Sequence, residues 1–161
     1  MTYLITKTDY AGYSHIASTL DNTKFFQPLV FQAQNRLRYL LGDRLYADLM
    51  ANYTDSKYST LLSGCSYQIN GEPYLFDGLK PLLVFYCDLI FLNDPRIVST
   101  EAGYMKKANE NSSEPSKEDL AGKKARTMAM INSLESQLEL YLDENASTFI
   151  YYSGLNKTKT L

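Results

Sequence analysis

Apolar positions recur at helical spacing in several stretches of the chain, and turn-forming residues separate them. Leu29, Val30, Ala33, Leu37, Leu40 and Leu41 mark one amphipathic face. They predict a helix that starts near Pro28, where a missing N–H does no harm, and ends at Gly42. Asp43 then caps a second helix to about Met50, with Leu45, Tyr46 and Leu49 turned inward. A short helical turn is expected around 58–62. Residues 79–92 carry charge only at Lys80 and Asp88. A helix that is apolar all round is central, so this one is predicted to be the most buried element. Asn93-Asp94-Pro95 stops it, because the residue before proline avoids helical geometry. A long fourth helix is predicted over 116–145, opened by Ser116 with Asp119 at the capping-box position. Its stripe is Leu120, Thr127, Met128, Ile131, Leu134, Leu138, Tyr141 and Leu142.

The pattern changes elsewhere. Residues 66–76 read SYQINGEPYLF, and Asn70-Gly71 between aromatic and β-branched flanks predicts a β-hairpin. Pro73 puts its strand at an edge. Residues 1–20 read as irregular or extended, with a possible short strand over 3–5. Residues 96–115 have weak periodicity and many Ser, Asn, Glu and Gly. A long loop or extended arm is expected there, packed on another subunit or else disordered in an isolated chain. The tail, 146–161, holds the β-prone Phe149-Ile150-Tyr151-Tyr152, and its last six residues are polar and basic. The expected fold is mainly α: a four-helix bundle with one β-hairpin and a long loop or arm. Its parts are an N-terminal extension (1–20), one helical domain (21–145) and a C-terminal tail (146–161).

Composition narrows the class. The chain has 161 residues, 45% of them apolar and 21% charged, as expected of one soluble globular domain with a single core. A net charge of −2 does not fit a dedicated nucleic-acid binder, though it is compatible with a protein that merely surrounds DNA. The start, MTYLITKTDY, lacks the pattern of a secretory leader. The longest apolar stretch, 82–92, is broken by Asp88 and is too short to span a bilayer. Cys65 and Cys87 form neither a CxxC pair nor a disulfide framework. Cys87 is expected to be a small buried hydrophobe, and Cys65 partly exposed. Fourteen tyrosines and no tryptophan suggest either half-buried positions or contact surfaces, since Tyr joins an apolar ring to a polar tip.

Catalytic chemistry finds little footing. His15 is the only histidine, and no HExxH, GxSxG, P-loop or GxGxxG motif occurs. Asp88 is the best candidate for a perturbed carboxylate, but a single acid is no catalytic constellation. It is expected to hold a structural hydrogen bond to a Tyr, a Lys or a loop amide. Met128 and Met130 read as packing residues. No catalytic, cofactor-binding or metal-ligating residue is assigned, and neither enzymatic activity nor a tightly bound cofactor is expected.

Charge on the last helix is divided. Lys123, Lys124 and Arg126 lie in its first half, and Glu135, Glu139, Asp143 and Glu144 in its second. This opposes the helix macrodipole, apart from Glu118 and Asp119 in the first turn. The charges form either a solvated face or an answer to a partner.

The segments AQNRLRYLLGDRLYADL (33–49), YSTLLSG (58–64), YQINGEPYLF (67–76), DGLKPLLVFYCDLIFL (77–92) and ENSSEPSKEDL before a long helix stand in a characteristic order. Together, over about 20–145, they resemble the head–tail connector or adaptor (neck ring) proteins of tailed phages, as in crAss-like and related Bacteroidetes phages. The resemblance implies a structural virion protein, made in the host cytoplasm and resident at the head–tail junction. It implies a ring of identical copies, a dodecamer, joining the portal to a tail or second neck-ring protein around a channel that DNA passes through. Candidate interaction residues on this reading are Asn70 and Gly71 at the hairpin tip, and Tyr104, Lys106 and Lys107 in the arm. On the last helix they are Lys123, Lys124, Arg126, Glu135 and Glu139, and in the tail Tyr151 and Tyr152. The competing readings are a soluble helical interaction module outside a virion and an enzyme with a site not visible in sequence.

Overall fold

A computed structural model describes residues 2–14, 26–93, 97–100, 103–106 and 117–155. The protein is mainly helical, with an antiparallel hairpin. In chain order the elements are α1 (Lys7–Tyr13), α2 (Gln27–Leu41), α3 (Asp43–Asn52), α4 (Ser56–Ser63), β1 (Cys65–Ile69), β2 (Glu72–Phe76), α5 (Leu79–Asn93), β3 (Ile97–Thr100), β4 (Gly103–Lys106) and α6 (Lys117–Glu144). The four helices expected from periodicity are α2, α3, α5 and α6. The helical turn near 58–62 is the short helix α4.

α5 is the axis of the fold. Eleven of its fifteen residues are buried, and α2, α6, α1 and α4 all pack on it. α2 presents Val30, Ala33, Leu37, Leu40 and Leu41 to this core. α6 presents Ile131, Leu134, Leu138, Tyr141 and Leu142, while Leu120, Thr127 and Met128 of the same stripe are only half-buried. Cys87 is buried and Cys65 intermediate. Both ends of the chain join the core through Leu4, Ile5, Tyr10 and Phe149. Among the described residues no helix is long and apolar enough to cross a membrane.

Two segments depart from expectation. Residues 7–13 form a helix where irregular chain was expected. Thr6 accepts the N–H of Asp9, and the Asp9 carboxylate accepts the N–H of Thr6 at 2.8 Å. This is the same Thr-x-x-Asp signal that marks helix starts elsewhere. In the expected long loop, β3 and β4 pair antiparallel as a second hairpin, with Ile97 opposite Lys106 and Thr100 opposite Gly103. The run Ile97-Val98-Ser99-Thr100, with three β-branched residues of four, was the available clue. Ser116, His15 and residues 156–161 lie outside the described residues.

The β1–β2 hairpin turns at Asn70 (φ 53°) and Gly71 (φ 86°), the left-handed pair that a tight two-residue turn requires. Its base is closed by two more glycines. Gly64 (φ 85°) enters β1, and Gly78 (φ 89°) leaves β2 for α5. A Cβ on Gly78 would lie 2.5 Å from the Gly64 nitrogen and 2.5 Å from the Leu62 carbonyl oxygen. A Cβ on Gly64 would lie 2.3 Å from the Phe76 carbonyl oxygen. Backbone meets backbone here with no room for a side chain.

The tyrosines have a structural role that composition could not separate from a surface one. Four of them donate a hydroxyl to a carboxylate on another element: Tyr10 to Asp88 (2.7 Å), Tyr86 to Glu135 (2.6 Å), Tyr152 to Asp143 (2.7 Å) and Tyr58 to Asp48. They tie α1 to α5, α5 to α6, the tail to α6, and α4 to α3. Burial raises the pKa of all four phenols, and the nearby carboxylates raise it further. Burial also pushes Tyr141 up to about 12. A group whose pKa is higher folded than unfolded contributes stability below its unfolded value and loses it as pH climbs through the folded one. Denaturant midpoints should therefore hold steady to about pH 10, the ordinary Tyr value, and then fall with rising pH. Urea melts between pH 8 and 12 check this; a midpoint that stays flat above pH 11 would show that the latches contribute nothing.

Candidate assembly surface

α6 is 28 residues long, and its two halves differ. From Ile131 onward the helix is fastened to the body through its apolar stripe. Before Ile131, none of residues 118–130 is buried. At ~1.5 Å per residue, residues 118–130 run roughly 20 Å along the helix axis; Leu120, Lys124, Thr127 and Met128 are half-buried, Met128 against the core, and the other nine are exposed. Lys123 and Arg126 are exposed there, three residues apart on one side, while Lys124 is half-buried on another. Gly122 lies in this stretch, and a Cβ on it would meet nothing within 4 Å. Gly122→Ala should stabilise the protein by about 0.5–1 kcal/mol through helix propensity alone, read as a higher denaturant midpoint.

Glu135 accepts the Tyr86 hydroxyl, and the Arg36 guanidinium lies 4.6 Å from the Tyr86 ring centroid, so three helices meet at this tyrosine. Asp143 accepts from Tyr152. Glu139 is half-buried, whereas Asp143 and Glu144 are exposed. Part of the acidic charge expected to face a neighbour is thus engaged inside its own subunit. Sequence reasoning could not separate these cases, because the partners sit on elements far away in the chain.

The remaining candidates are spread over other elements. Asn70 and Gly71 form the exposed tip of the first hairpin. On β4, Tyr104 is opposite Ser99 and Lys106 opposite Ile97; Lys107 lies outside the described residues. In the tail, Tyr151 is exposed and Tyr152 half-buried. The candidates are distributed over a hairpin tip, a second hairpin, both halves of α6 and the tail.

Exposed apolar side chains mark surfaces that the charge pattern missed. Leu75 on β2 is 64% exposed and Ile150 in the tail 72%. Tyr39 and Phe31 stand on the outer side of α2 and Met130 on α6. Their positions off the helical stripes were the available signal for Phe31 and Tyr39, and Pro73 on an edge strand was the signal for Leu75. From the hairpin inward, the rings of Tyr74, Tyr67, Tyr141, Phe149 and Tyr58 make successive contacts at centroid distances of 5.3–6.1 Å. Phe76 stacks on Tyr141 at 4.4 Å. The hairpin base is therefore anchored on α6 while its tip is exposed.

Two carboxylates are shifted by structural pairs. Asp9 is held below its ordinary carboxylate value: burial opposes this, but the Lys80 ammonium at 2.8 Å and the Thr6 hydrogen bonds outweigh it. The Tyr58 hydroxyl lowers Asp48, against partial desolvation and with help from Lys57. Among the described residues no group of three or more His, Cys, Asp or Glu side chains is placed to hold a metal ion. Asp88, the carboxylate singled out in sequence, accepts hydrogen bonds from Tyr10 and Ser14.

No curated protein and no solved structure matches the chain. A family model does match residues 37–160, from the second half of α2 into the tail. The chain belongs to that family, described as a family of unknown function (DUF6712).

Proposed function

We propose that this protein is a structural subunit of a tailed-phage particle, a head–tail connector that forms a ring between the portal and a tail or second neck-ring protein. The observation that carries the reading is the basic first half of α6, in which none of residues 118–130 is buried and nine of the thirteen are exposed. A helical stretch that carries exposed cations beside exposed apolar residues such as Met130 suits contact with another body. The two hairpins add further elements with which a subunit can reach its neighbours. The order of segments resembling phage connectors supplies the class. In a ring, one face of each copy meets a different face of the next. Lys123 and Arg126 can then approach exposed acids of an adjacent copy, such as Glu144. Each such pair contributes only ~0–1 kcal/mol and weakens with salt. The charges therefore set register, and exposed Tyr, Leu and Ile contacts supply the affinity. DNA would pass through the lumen without being held tightly, given the net charge of −2.

Light scattering and negative-stain microscopy of the purified chain, alone and with a portal protein, test this directly. A ring is expected; a chain that stays monomeric at all concentrations and ignores the portal would exclude it. Reversing Lys123, Lys124 and Arg126 together to Glu should slow or block ring formation at low salt while leaving the circular dichroism spectrum unchanged. Assembly at an undiminished rate would remove the charge-register idea and leave the connector reading in place.

A further inference from the structure

We propose that residues 2–14 are an exchangeable arm, which in the assembled protein fills the groove between α2 and α5 of a neighbouring copy through the contacts it makes here within one chain. Among the described residues only two polar side chains are buried, Gln34 (0% exposed) and Asp88 (8%). Both grip this segment. The Gln34 Oε1 accepts the Leu4 N–H at 2.8 Å, and its Nε2 donates to the Thr2 carbonyl at 3.2 Å. Asp88 accepts the Tyr10 hydroxyl at 2.7 Å and the Ser14 hydroxyl at 2.9 Å. Lys80 closes the outer side on Asp9 at 2.8 Å. Leu4, Ile5 and Tyr10 sink into the core between these polar holds.

This is the anatomy of a peptide in a receptor groove: apolar anchors, a side-chain amide reading the backbone, and a charged clamp at the rim. The helix in the segment has seven residues, too few to persist without the groove. The groove in turn needs an occupant, because an empty one would leave Gln34 and Asp88 with lost partners in a buried site. The same segment of a second copy satisfies it identically, which is why exchange of an element between identical subunits is inexpensive. Residues 15–25 join the arm to the body, eleven residues that can extend to at most about 40 Å. A chain of this size has a radius of gyration of only about 15 Å, so that length reaches an adjacent subunit.

The identity of the neighbour rests on the ring reading; the groove and its occupant do not. The Asp9–Lys80 ion pair permits a test on the unaltered protein. Subunits of light and heavy nitrogen are unfolded, mixed and assembled together. A carbodiimide then joins the Asp9 carboxyl to the Lys80 amine with loss of water, and the linked peptides are weighed. Exchange predicts light–heavy pairs beside like pairs. Like pairs alone in a fraction that light scattering shows to be oligomeric would overturn the exchange and leave the connector reading standing. Mixed pairs in a species no larger than a dimer would support the exchange and count against the ring. A chain monomeric at every concentration, with like pairs only, would overturn both.

Discussion

Gly78→Ala should destabilise the protein by about 3–5 kcal/mol, a drop of roughly 10 °C or more in Tm. Two penalties act together. The φ of 89° is one that an L side chain resists, and the new methyl carbon would sit 2.5 Å from two backbone atoms, the Gly64 nitrogen and the Leu62 carbonyl oxygen. Backbone atoms cannot swing aside as a flexible side chain can. Relief requires pulling the end of α4 away from the start of α5, which opens the base of the hairpin. Gly71→Ala is the control. It has a similar φ of 86° but meets nothing within 4 Å, so only the conformational term of ~1–2 kcal/mol remains. Paired denaturant melts of the two variants decide the matter. Equal losses would show that crowding at the Gly64–Gly78 contact adds nothing to the backbone strain.

Asp88→Ala should cost about 3 kcal/mol, because it removes the acceptor from the Tyr10 hydroxyl and leaves that donor buried. Tyr10 is 3% exposed, so water cannot replace the lost partner without opening the groove. Asp88→Asn should cost clearly less. Its amide oxygen can still accept from Tyr10, and its NH₂ can donate to the Ser14 hydroxyl oxygen. The loss should concentrate at one end of the chain, since Asp88 fastens α1 to α5. Limited proteolysis should cut the alanine variant first near the N-terminus, while the asparagine variant resists. Matching midpoints for both variants would mean that the hydrogen bonds at Asp88 do not hold the segment.

The helices were legible because their signal is local. The stripe on α2, the uninterrupted apolar surface of α5 and the turn at Asn70-Gly71 each follow from residues within one or two turns of each other. The start of α1 was equally local, in Thr6 and Asp9, yet the polar run around it has no apolar stripe to draw attention. β3 and β4 were hidden for a different reason: strands of four residues are too short for alternation to stand out against loop composition.

By itself, the sequence determined the helical class, the buried axis at 79–92, the first hairpin and the division of charge along the last helix. All of these depend on spacing along the chain. Tertiary structure alone decided which charges remain outward. Glu135 and Glu144 look alike in sequence, yet Glu135 receives the hydroxyl of Tyr86 from 49 residues away, whereas Glu144 is exposed. It also decided that the first residues belong to the core, since the holds on them, Gln34 and Asp88, are 30 and 78 residues distant from Leu4 and Tyr10. Periodicity records which side of a helix is apolar. It carries no record of which distant polar group will meet another, because that pairing arises only when packing excludes water from both.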